Sequence, residues 1–504
     1  MSGPLTYTSL DLIPTAVNDL RSVYNTGLTK SLDFRKQQLQ RLADLCLENT
    51  DALIEALHKD LRKHKVESVI GEISPVVDEC QFMIKNLNKL AKPEQTSKRF
   101  LMNATDKTLV RKEPKGVVLI IGAWNYPVNL LLLPFVGAIA AGNTVLLKPS
   151  EVSANTAALI TELLPKYLSQ DAYRVINGGV SETTVALEQR FDHIFYTGNG
   201  AVGKIVMTAA AKQLCSVTLE LGGKSPTVIA PDADLDVTVH RLAWGKFYNN
   251  GQTCVAPDYV LIHKPLLKPF IEKLRAFLEK SYGNKPQASE SYGRIVTDRH
   301  FDRLKAMIDR IDASKIAIGG QTDPSDRFIA PTIVTDISND DANLMIEEIF
   351  GPILPVLVYD ELQEAVDIIN GRDYPLALYI FSKSEKTANW VLDRTQSGGC
   401  CVNDTLMHLQ ELSLPFGGVG PSGQGNYHGE RSFSAFTHER TTMYKDASAE
   451  KVNEVKYPPY NENKYKVLSF MVYGLPGSVS RKVKTFMTVW MALWAVLFSK
   501  KSKL

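Results

Sequence analysis

The sequence predicts an α/β protein built on a doubly wound parallel sheet, and three observations support this class. Short apolar runs alternate with longer stretches of helical spacing, as buried parallel strands alternate with the helices that cover them. A glycine-rich turn of the dinucleotide-binding type, Gly198–Gly203, lies between one such strand and the next helix. The length of 504 residues exceeds one small core and indicates two or three domains.

The overall composition is that of an ordinary globular protein. Hydrophobic residues make up 44% and charged residues 22% of the chain, and the net charge of +2 argues against a general nucleic-acid binder. The 6 cysteines follow no zinc-site or disulfide spacing, so we expect no metal and a reducing compartment. The N-terminus lacks the basic start and apolar core of a secretory signal peptide.

The first half of the chain begins with helical spacing and continues with alternating strands and helices. Charges interleave with apolar residues over residues 15–60 and 66–92, which predicts helices that pack one face, and Pro93 ends the second stretch. A long apolar helix ending at Ala141 is expected among the strands. The predicted strands are residues 115–122, 143–148, 173–177 and 193–196. Ligands bind at the carboxyl ends of such strands, where the sequence places Asn125, Lys148 and Gly198.

A second α/β unit follows over about residues 225–425. Its predicted strands are residues 228–230, 260–262 and 354–357, and its predicted helices are residues 270–278 and 302–311. No low-complexity linker separates the two halves. The boundary near Leu221–Gly223 is therefore expected to be a hinge rather than a tether.

Cys254 stands out because its surroundings are not those of a packing cysteine. A polar and flexible run, Asn249–Thr253, precedes it, and Pro257 closes the stretch. Thiolate chemistry needs partial access and polar neighbours, so this is a setting for a nucleophile. The chemistry alone leaves an ordinary free cysteine in a loop as the alternative.

Glu220 is the second unusual residue, because it interrupts the apolar, strand-like run Val217–Leu221 just before two glycines. A carboxylate in such a run is expensive to bury unless it is paired or functional. It is either a catalytic group or a member of a structural ion pair. The glycine-rich pattern on its own would instead assign Glu220 to a ribose hydroxyl of a dinucleotide.

The stretches Leu219–Lys224 and Gly251–Cys254 together resemble the aldehyde dehydrogenase superfamily. Asp258–Tyr259 after Pro257 and the short N-terminus resemble the class 3 and fatty aldehyde dehydrogenase branch, and the resemblance covers about residues 10–460. Further stretches agree with the family in the same order: Trp124–Pro127, Lys148–Glu151, Glu347–Pro352 and Leu414–Gly420.

The resemblance implies a set of catalytic residues and a cofactor. Cys254 would be the nucleophile and Glu220 the base, with the Asn125 side-chain amide and the Cys254 backbone N–H as donors to the oxyanion. The cofactor would be NAD, with NADP as an alternative. The implied cofactor-binding residues are Lys148 and Glu151 for the adenosine ribose, Gly198, Asn199 and Gly203 for the glycine-rich turn, and Glu348 with Phe350 for the nicotinamide ribose.

The family fold implies a division of the chain into four parts. A Rossmann-type dinucleotide-binding domain would comprise residues 1–94 and 116–221, and an α/β catalytic domain residues 222–427. A small β arm of residues 95–115 and 428–450 would form a homodimer. The tail is expected over residues 451–504.

The predicted function is NAD(P)-dependent oxidation of long-chain aliphatic aldehydes to fatty acids through a cysteine thioester. NAD is expected over NADP because the Glu151 carboxylate would repel a 2′-phosphate. One alternative is a CoA-acylating dehydrogenase, against which Glu220 argues because a base serves hydrolysis. The other is a non-catalytic, membrane-tethered binding protein, which would have no need of Asn125, Cys254 and Glu348.

The C-terminal tail predicts an association with membrane lipid. Thr485–Phe498 carries no charge, contains two tryptophans and has basic flanks, but as a helix it would be about 21 Å long against a hydrocarbon core of ~30 Å. It would span with thinning or snorkelling, lie in the interface, or pack as a core helix. Ser502–Leu504 matches the peroxisomal address. We therefore expect a membrane-associated protein of the peroxisome or endoplasmic reticulum, facing the cytosol or the peroxisomal matrix.

Overall fold

The computed structural model describes residues 3–474 and 479–498, and the predicted address Ser502–Leu504 lies outside them. The described chain forms two compact units. The first unit comprises the residues up to Leu90 together with Pro114–Thr437. The second unit comprises Ala91–Glu113 and the residues from His438 onward.

The helices alternate with strands through most of the first unit. In chain order the α-helices are α1 (Leu12–Thr26), α2 (Leu32–Glu48), α3 (Thr50–Leu61), α4 (Lys65–Ser68), α5 (Ser74–Leu90), α6 (Asn129–Ala141), α7 (Ala154–Tyr167), α8 (Val180–Glu188), α9 (Gly200–Ala211), α10 (Leu235–Phe247), α11 (Leu267–Tyr282), α12 (Asp298–Asp309), α13 (Leu362–Asn370), α14 (Glu385–Leu392), α15 (Met407–Gln410), α16 (Glu430–Ala435), α17 (Glu450–Asn453), α18 (Glu462–Tyr473) and α19 (Val479–Phe498).

The strands form two large sheets and two small ones. In chain order they are β1 (Glu94–Gln95), β2 (Lys107–Pro114), β3 (Val117–Ile121), β4 (Thr144–Lys148), β5 (Tyr173–Val175), β6 (His193–Thr197), β7 (Ser216–Glu220), β8 (Pro226–Ile229), β9 (Tyr259–His263), β10 (Ile316–Ile318), β11 (Thr322–Asp323), β12 (Phe328–Ile329), β13 (Thr332–Val334), β14 (Ile353–Tyr359), β15 (Ala377–Phe381), β16 (Gly399–Val402), β17 (Gly423–Gln424) and β18 (Thr437–Tyr444).

The first large sheet has the strand order β17-β7-β6-β3-β4-β5. Strands β3 to β7 are parallel, and only the two-residue strand β17 is antiparallel, pairing with the end of β7. The order reverses between β3 and β6, so the loops that leave these two strands diverge. This topological switch point, at the carboxyl ends of the strands, is where doubly wound sheets bind their ligands.

The second large sheet has the order β10-β13-β14-β9-β8-β15-β16 and is parallel except for β10. Its central strands are buried on both faces, which is why they read as continuous apolar runs. Helix α6 beside the first sheet is buried over its entire length. A helix that is apolar on every side, as α6 is after Asn129, is typical of a protein core.

The second unit contains the small sheet β1-β2-β18 and helices α18 and α19. Val467 of α18 and Ala492 of α19 are buried together, with Met471 and Leu493 packed beside them. The outer side of α19 exposes apolar side chains: Phe486, Met487, Trp490, Met491 and Trp494. Within residues 3–474 and 479–498, every helix falls short of the length and apolar character needed to cross a membrane.

The predicted doubly wound α/β class is confirmed, and the predicted strands occur where expected. One expectation needs correction, because the helical spacing of residues 15–60 belongs to three helices. Gly27, in the left-handed region with φ of 80°, ends α1, and Arg62 ends α3 in the same conformation. The domain bounds and the hinge near residue 222 remain predictions.

Candidate active site

The loop after β3 carries Asn125, and hydrogen bonds to an earlier and to a later part of the chain hold it in place. The Asn125 side chain is 4% exposed, and its Nδ2 donates to the Gln252 carbonyl oxygen at 3.0 Å. The Asn125 backbone carbonyl accepts from Lys63 Nζ and from Asn249 Nδ2, both at 3.0 Å. Asn125 is therefore tied directly to the loop that holds Cys254.

The turn that precedes Cys254 has an unusual backbone. After α10, Asn249, Asn250 and Gly251 all have positive φ, of 50°, 56° and 71°. Asparagine tolerates this region better than most residues, and glycine adopts it without penalty. A Cβ at Gly251 would also overlap the Gly351 carbonyl oxygen. The asparagines and the glycine of this stretch are therefore what its backbone geometry requires.

The cysteine loop is anchored to several elements. Gln252 donates through Nε2 to the Arg294 carbonyl at 3.0 Å and accepts from the Val296 N–H at 3.0 Å. The Tyr126 and Thr253 hydroxyls lie 2.6 Å apart, and the Tyr379 hydroxyl donates to the Val255 carbonyl at 2.6 Å. These bonds hold the residues on both sides of Cys254 in place.

The Cys254 side chain is partly buried and faces a cavity whose lining is mainly apolar. Burial raises the pKa of the thiol, and the carboxylates of Glu348 and Glu220 raise it further. The backbone N–H groups of Cys254 and Val255 oppose this rise. The cavity is lined by Gly71, Tyr126, Asn129, Leu130, Tyr248, Thr253, Cys254, Leu406, Leu409, Gln410 and Phe416.

Glu220 lies at the end of β7 and is 1% exposed. Among the described residues, neither of its carboxylate oxygens has a hydrogen-bond partner. Burial raises the pKa of this carboxyl well above its usual range, because no cation compensates for the lost hydration. The buried environment therefore favours the neutral form of Glu220 until water or a ligand solvates it.

Glu348 belongs to a loop that the pair Lys224 and Asp258 holds against the second sheet. Lys224 Nζ contacts Asp258 Oδ2 at 2.6 Å and donates to the Leu344 carbonyl at 2.7 Å, while Asp258 accepts from the Ile349 N–H at 3.1 Å. Burial, followed by the nearby Asp258 carboxylate, raises the pKa of Glu348 to about 8. The loop thus brings a second perturbed carboxyl to the thiol.

The residues at the end of the first sheet fit a dinucleotide. Lys148 and Glu151 pair at 2.7 Å after β4, and each has groups that bind ribose hydroxyls. A Cβ at Gly200 would meet nothing within 4 Å, so the N-terminal turn of α9 is open to a phosphate. At Gly222 a Cβ would lie 2.7 Å from Glu348 Oε2, so glycine leaves room for that carboxylate.

The predicted site residues thus fall into two groups. Asn125, Glu220, Cys254 and Glu348 share one neighbourhood through the bonds and charges described above. Phe350 joins them, because its ring lies 5.3 Å from the Trp124 ring in the Asn125 loop. The second group lies at the carboxyl end of the first sheet: Lys148, Glu151, Gly198, Asn199 and Gly203. Asn199 caps α9 by accepting from the Val202 N–H, and Gly203 packs against Leu221.

Sequence reasoning missed several residues that hold the site. Lys63 lies in the short charged connection between α3 and α4, Glu72 in a charged helical stretch and Tyr379 in an apolar strand, so no local pattern distinguishes them. Gln252 belongs to the stretch Gly251–Cys254, but the sequence does not indicate which groups its side chain binds.

The fold and the site define an α/β oxidoreductase that combines a buried thiol with a dinucleotide cofactor. Comparison with known proteins makes the class specific. The model of the aldehyde dehydrogenase family matches residues 13–442. The chain belongs to this family and is an NAD(P)-dependent aldehyde dehydrogenase.

Individual relatives agree with this assignment. Aldehyde dehydrogenase family 3 member A2 of Rattus norvegicus is 49% identical over 448 residues, 89% of this chain and 92% of the relative. The dimeric NADP-preferring aldehyde dehydrogenase of Mus musculus is 48% identical over 447 residues, 89% of this chain and 98% of the relative. The substrate-bound Staphylococcus aureus AldH structure has a TM-score of 0.88 and 41% identity, covering 91% of this chain and 98% of its own. The predicted resemblance to the class 3 branch is confirmed.

Proposed function

We propose that the protein oxidises long-chain aliphatic aldehydes to fatty acids through a thioester on Cys254. The observation that carries the assignment of roles is that a partly buried thiol on an apolar cavity lies close enough to an unpartnered buried carboxyl, Glu220, for the carboxyl to raise the pKa of the thiol. Asn125, on the loop after β3, is held against the cysteine loop by its bond to the Gln252 carbonyl. Together these residues supply a nucleophile, a base and a donor.

In the first step, Cys254 Sγ bonds to the aldehyde carbon as the thiol proton leaves to the ionised fraction of Glu220. The carbonyl oxygen becomes an oxyanion, for which an amide donor is worth ~10²–10³ in rate. Asn125 Nδ2 carries two N–H bonds, and its bond to Gln252 engages one of them. The other is available to the oxyanion, together with the backbone N–H of Cys254.

When bound, a nicotinamide would accept the hydride, which would leave the substrate as a thioester on Cys254 Sγ. Glu348, held by the Lys224–Asp258 pair, would orient the nicotinamide ribose beside the Phe350 ring. Glu220 passes the thiol proton to solvent and then takes a proton from water as the water attacks the thioester. It returns this proton to the departing sulfur, which releases the acid and the Cys254 thiol. Because only the ionised carboxyl can accept this proton, turnover rises with pH through the raised pKa of Glu220.

The test of this function is an aldehyde chain-length series with both cofactors and without CoA. We expect NAD(P)H and free acid in equimolar amounts, with kcat/KM rising with chain length because the cavity is lined by apolar side chains such as Leu130, Leu409 and Phe416. A requirement for CoA would replace hydrolysis with acyl transfer. A flat or falling series would overturn the long-chain preference.

We propose NAD as the preferred cofactor. Glu151 is about a third exposed and next to Lys148, so its carboxylate is accessible to the ribose hydroxyls and would repel a 2′-phosphate. Because one relative is named as NADP-preferring, the cofactor preference of this chain needs a direct measurement. Equilibrium binding should give a lower Kd for NAD than for NADP. Glu151→Gln should reduce the ratio of the two Kd values about tenfold. A lower Kd for NADP in the unmodified enzyme would reverse the assignment.

We propose that α19 lies in a membrane interface of the peroxisome or endoplasmic reticulum. Met487, Trp490, Met491 and Trp494 recur at helical spacing and are exposed, while Val489 and Ala492 are buried. Tryptophan favours the boundary between water and hydrocarbon. Deletion of residues 480–504 should release active, soluble protein from lipid vesicles. The pair Trp490→Ser and Met491→Ser should weaken binding with α19 intact, and unchanged sedimentation of both variants would refute the proposal.

We further propose that the protein is a homodimer joined through the arm of β1, β2 and β18. Two of these strands, β2 and β18, carry charged side chains that pair with one another, as in Lys112 with Glu439 and Arg440 with Glu113. Light scattering coupled to size exclusion should give twice the chain mass of 55.9 kDa. A monomeric mass at micromolar concentration would reject the dimer.

A further inference from the structure

We propose that the buried ion pair of Lys63 and Glu72 positions Asn125, so that its side-chain amide meets the oxyanion. The inference rests on the proposed function, in which Asn125 is a donor to the substrate oxygen. Lys63 and Glu72 touch neither the thiol nor the cofactor residues. They are therefore positioning residues, which act on the reaction through the Asn125 loop.

Lys63 is 1% exposed and makes three contacts on the same side of the site. Its Nζ lies 2.6 Å from Glu72 Oε1 and donates to the Asn125 carbonyl at 3.0 Å. The ammonium also lies 4.1 Å from the centre of the Tyr126 ring, within the range of a cation–π contact. One cation thus holds two consecutive residues of the catalytic loop.

Glu72 holds the segment that follows the loop. It is fully buried, and its Oε2 accepts from the N–H groups of Val128 and Asn129 at 3.1 Å each. These are the first donors of α6, where the helix dipole favours a negative charge. The neighbouring Gly71 carbonyl accepts from Asn129 Nδ2 at 2.8 Å. The start of α6 is therefore fixed by the same segment that pairs with Lys63.

The pair thus fixes the chain at Asn125 itself and again at the start of α6. The Asn125 carbonyl receives two donors, from Lys63 and Asn249, which fixes the plane of the following peptide. Glu72 fixes the chain three residues later. The direction of the Asn125 side chain has little freedom left, and a misplacement of about 1 Å at such a group can reduce the rate about 10²-fold.

The decisive experiment is a double-mutant cycle between the ion pair and Asn125. Lys63→Met with Glu72→Gln removes both charges together, and the glutamine oxygen still caps α6. We expect this variant to lose about 10²-fold in kcat/KM for the aldehyde while the Kd for NAD stays within about threefold. In an Asn125→Ala background the same two changes should have almost no further effect, because no amide is left to position.

Arg35→Met is the matched control. Arg35 is also a buried cation, and it donates to the Ala140 carbonyl at the far end of the same helix, at 3.2 Å. Its loss should lower the melting temperature and leave kcat/KM of the folded enzyme within about threefold. If Lys63→Met with Glu72→Gln does not fold, Glu72→Gln alone should lose about tenfold, again only when Asn125 is present.

The outcomes distinguish a failure of the positioning role of the ion pair from a failure of the donor role of Asn125. Equal losses with and without Asn125 would reduce the ion pair to a structural role and overturn the inference, as would no loss in either background. If Asn125→Ala itself had no effect on aldehyde oxidation, Asn125 would not be the donor, and the inference would fail while the chain-length series would still decide the proposed function.

Discussion

The two sides of Cys254 differ in how fully their buried polar groups are hydrogen-bonded. On one side Asn125, Gln252 and Lys63 form a connected set of bonds, each 3.0 Å or shorter. On the other side Glu220 and Tyr427 are buried, and their side-chain oxygens have no partner among the residues that the structure describes.

Two further groups continue the second side. Both ring nitrogens of His428 also lack a partner there, and the rings of Tyr427 and His428 are 4.3 Å apart. Burial, then the nearby His408, lowers the pKa of His428 to about 3, so the ring is neutral. Beyond it lies Glu79, whose Oε2 accepts from the Gly429 N–H at 3.2 Å while Oε1 is unpaired within the described chain.

The contrast separates two tasks of an active site. A connected network fixes geometry, because every group in it has one stable arrangement. Unpartnered buried groups are destabilising. They stay neutral, since nothing nearby stabilises their charged forms. Under the proposed function, we expect the bonded side of Cys254 to serve orientation and the unbonded side to serve proton transfer.

The largest expected effect is the loss of the thiol that lies between the two sides. Cys254→Ala should reduce turnover by at least about 10⁴-fold, because both steps of the reaction use Sγ. Binding of NAD, followed by fluorescence titration, should be retained. Cys215→Ala, at the other end of β7, is the control and should keep normal activity. Appreciable turnover by Cys254→Ala would remove the covalent mechanism.

A change at Glu220 should affect turnover next most strongly and should separate its two steps. Glu220→Gln keeps the size of the side chain and removes its ability to accept a proton. If hydrolysis is its main task, stopped-flow absorbance should record a burst of reduced cofactor followed by a steady rate about 10²–10³-fold lower. Equal loss of the burst and the steady rate would instead make Glu220 the activator of the thiol.

The protonation state of the thiol gives a third test, with an effect of about tenfold per pH unit. Burial and the carboxylates of Glu348 and Glu220 raise the pKa of Cys254, so the thiolate fraction grows over the whole range from pH 7 to pH 9. Alkylation by iodoacetamide, followed at the Cys254 peptide by mass spectrometry, should accelerate accordingly. A rate that levels off below pH 8 would mean that the thiolate is already formed at neutral pH.

The smallest effect concerns stability on the unbonded side. Burial raises the pKa of Glu79 from 4.5 to about 7, so this carboxyl is protonated in the folded protein and ionised in the unfolded chain over that interval. Its contribution to stability is present below pH 4.5 and is lost as the pH rises through about 7.

Glu79→Gln removes this dependence. Relative to the unmodified protein, the variant should gain about 1–3 kcal/mol between pH 5 and pH 8, an effect of a few degrees in melting temperature. Glu162→Gln, at an exposed carboxylate, is the control and should change little over the same interval. A constant difference between Glu79→Gln and the unmodified protein at both pH values would contradict the shift.

The two sides also differ in which of their residues can be predicted from the sequence. Glu220 and Cys254 were predictable because each lies in a contiguous motif whose composition conflicts with its surroundings. Lys63 and Tyr427 were not, because their importance arises from contacts with residues far away in the chain. The bond from Lys63 to Asn125 joins residues 62 positions apart, and no local pattern encodes it.

The glycine-rich turn illustrates how a pattern can mislead about its neighbours. Taken alone, Gly198–Gly203 would assign Glu220 to a ribose. In the structure the Glu220 carboxylate acts on the pKa of Cys254, and the acidic residue beside the basic ribose candidate Lys148 is Glu151. The turn itself lies where the pattern predicts, between β6 and α9. The pattern thus predicts the position of the turn but is not enough to identify the acidic residue that would bind the ribose.

The short strand β17 has a consequence for how the protein is made. It covers the end of β7 with residues that follow Glu220 by about 200 positions, and a Cβ at Gly423 would overlap the Leu219 carbonyl. At ~5–20 residues/s, a ribosome takes about 10–40 s to supply that cover. Throughout this interval the nascent chain presents an open strand edge, which invites pairing with other chains. We expect a fragment ending at residue 420 to aggregate in translation extracts, and one ending at residue 474 to stay dispersed.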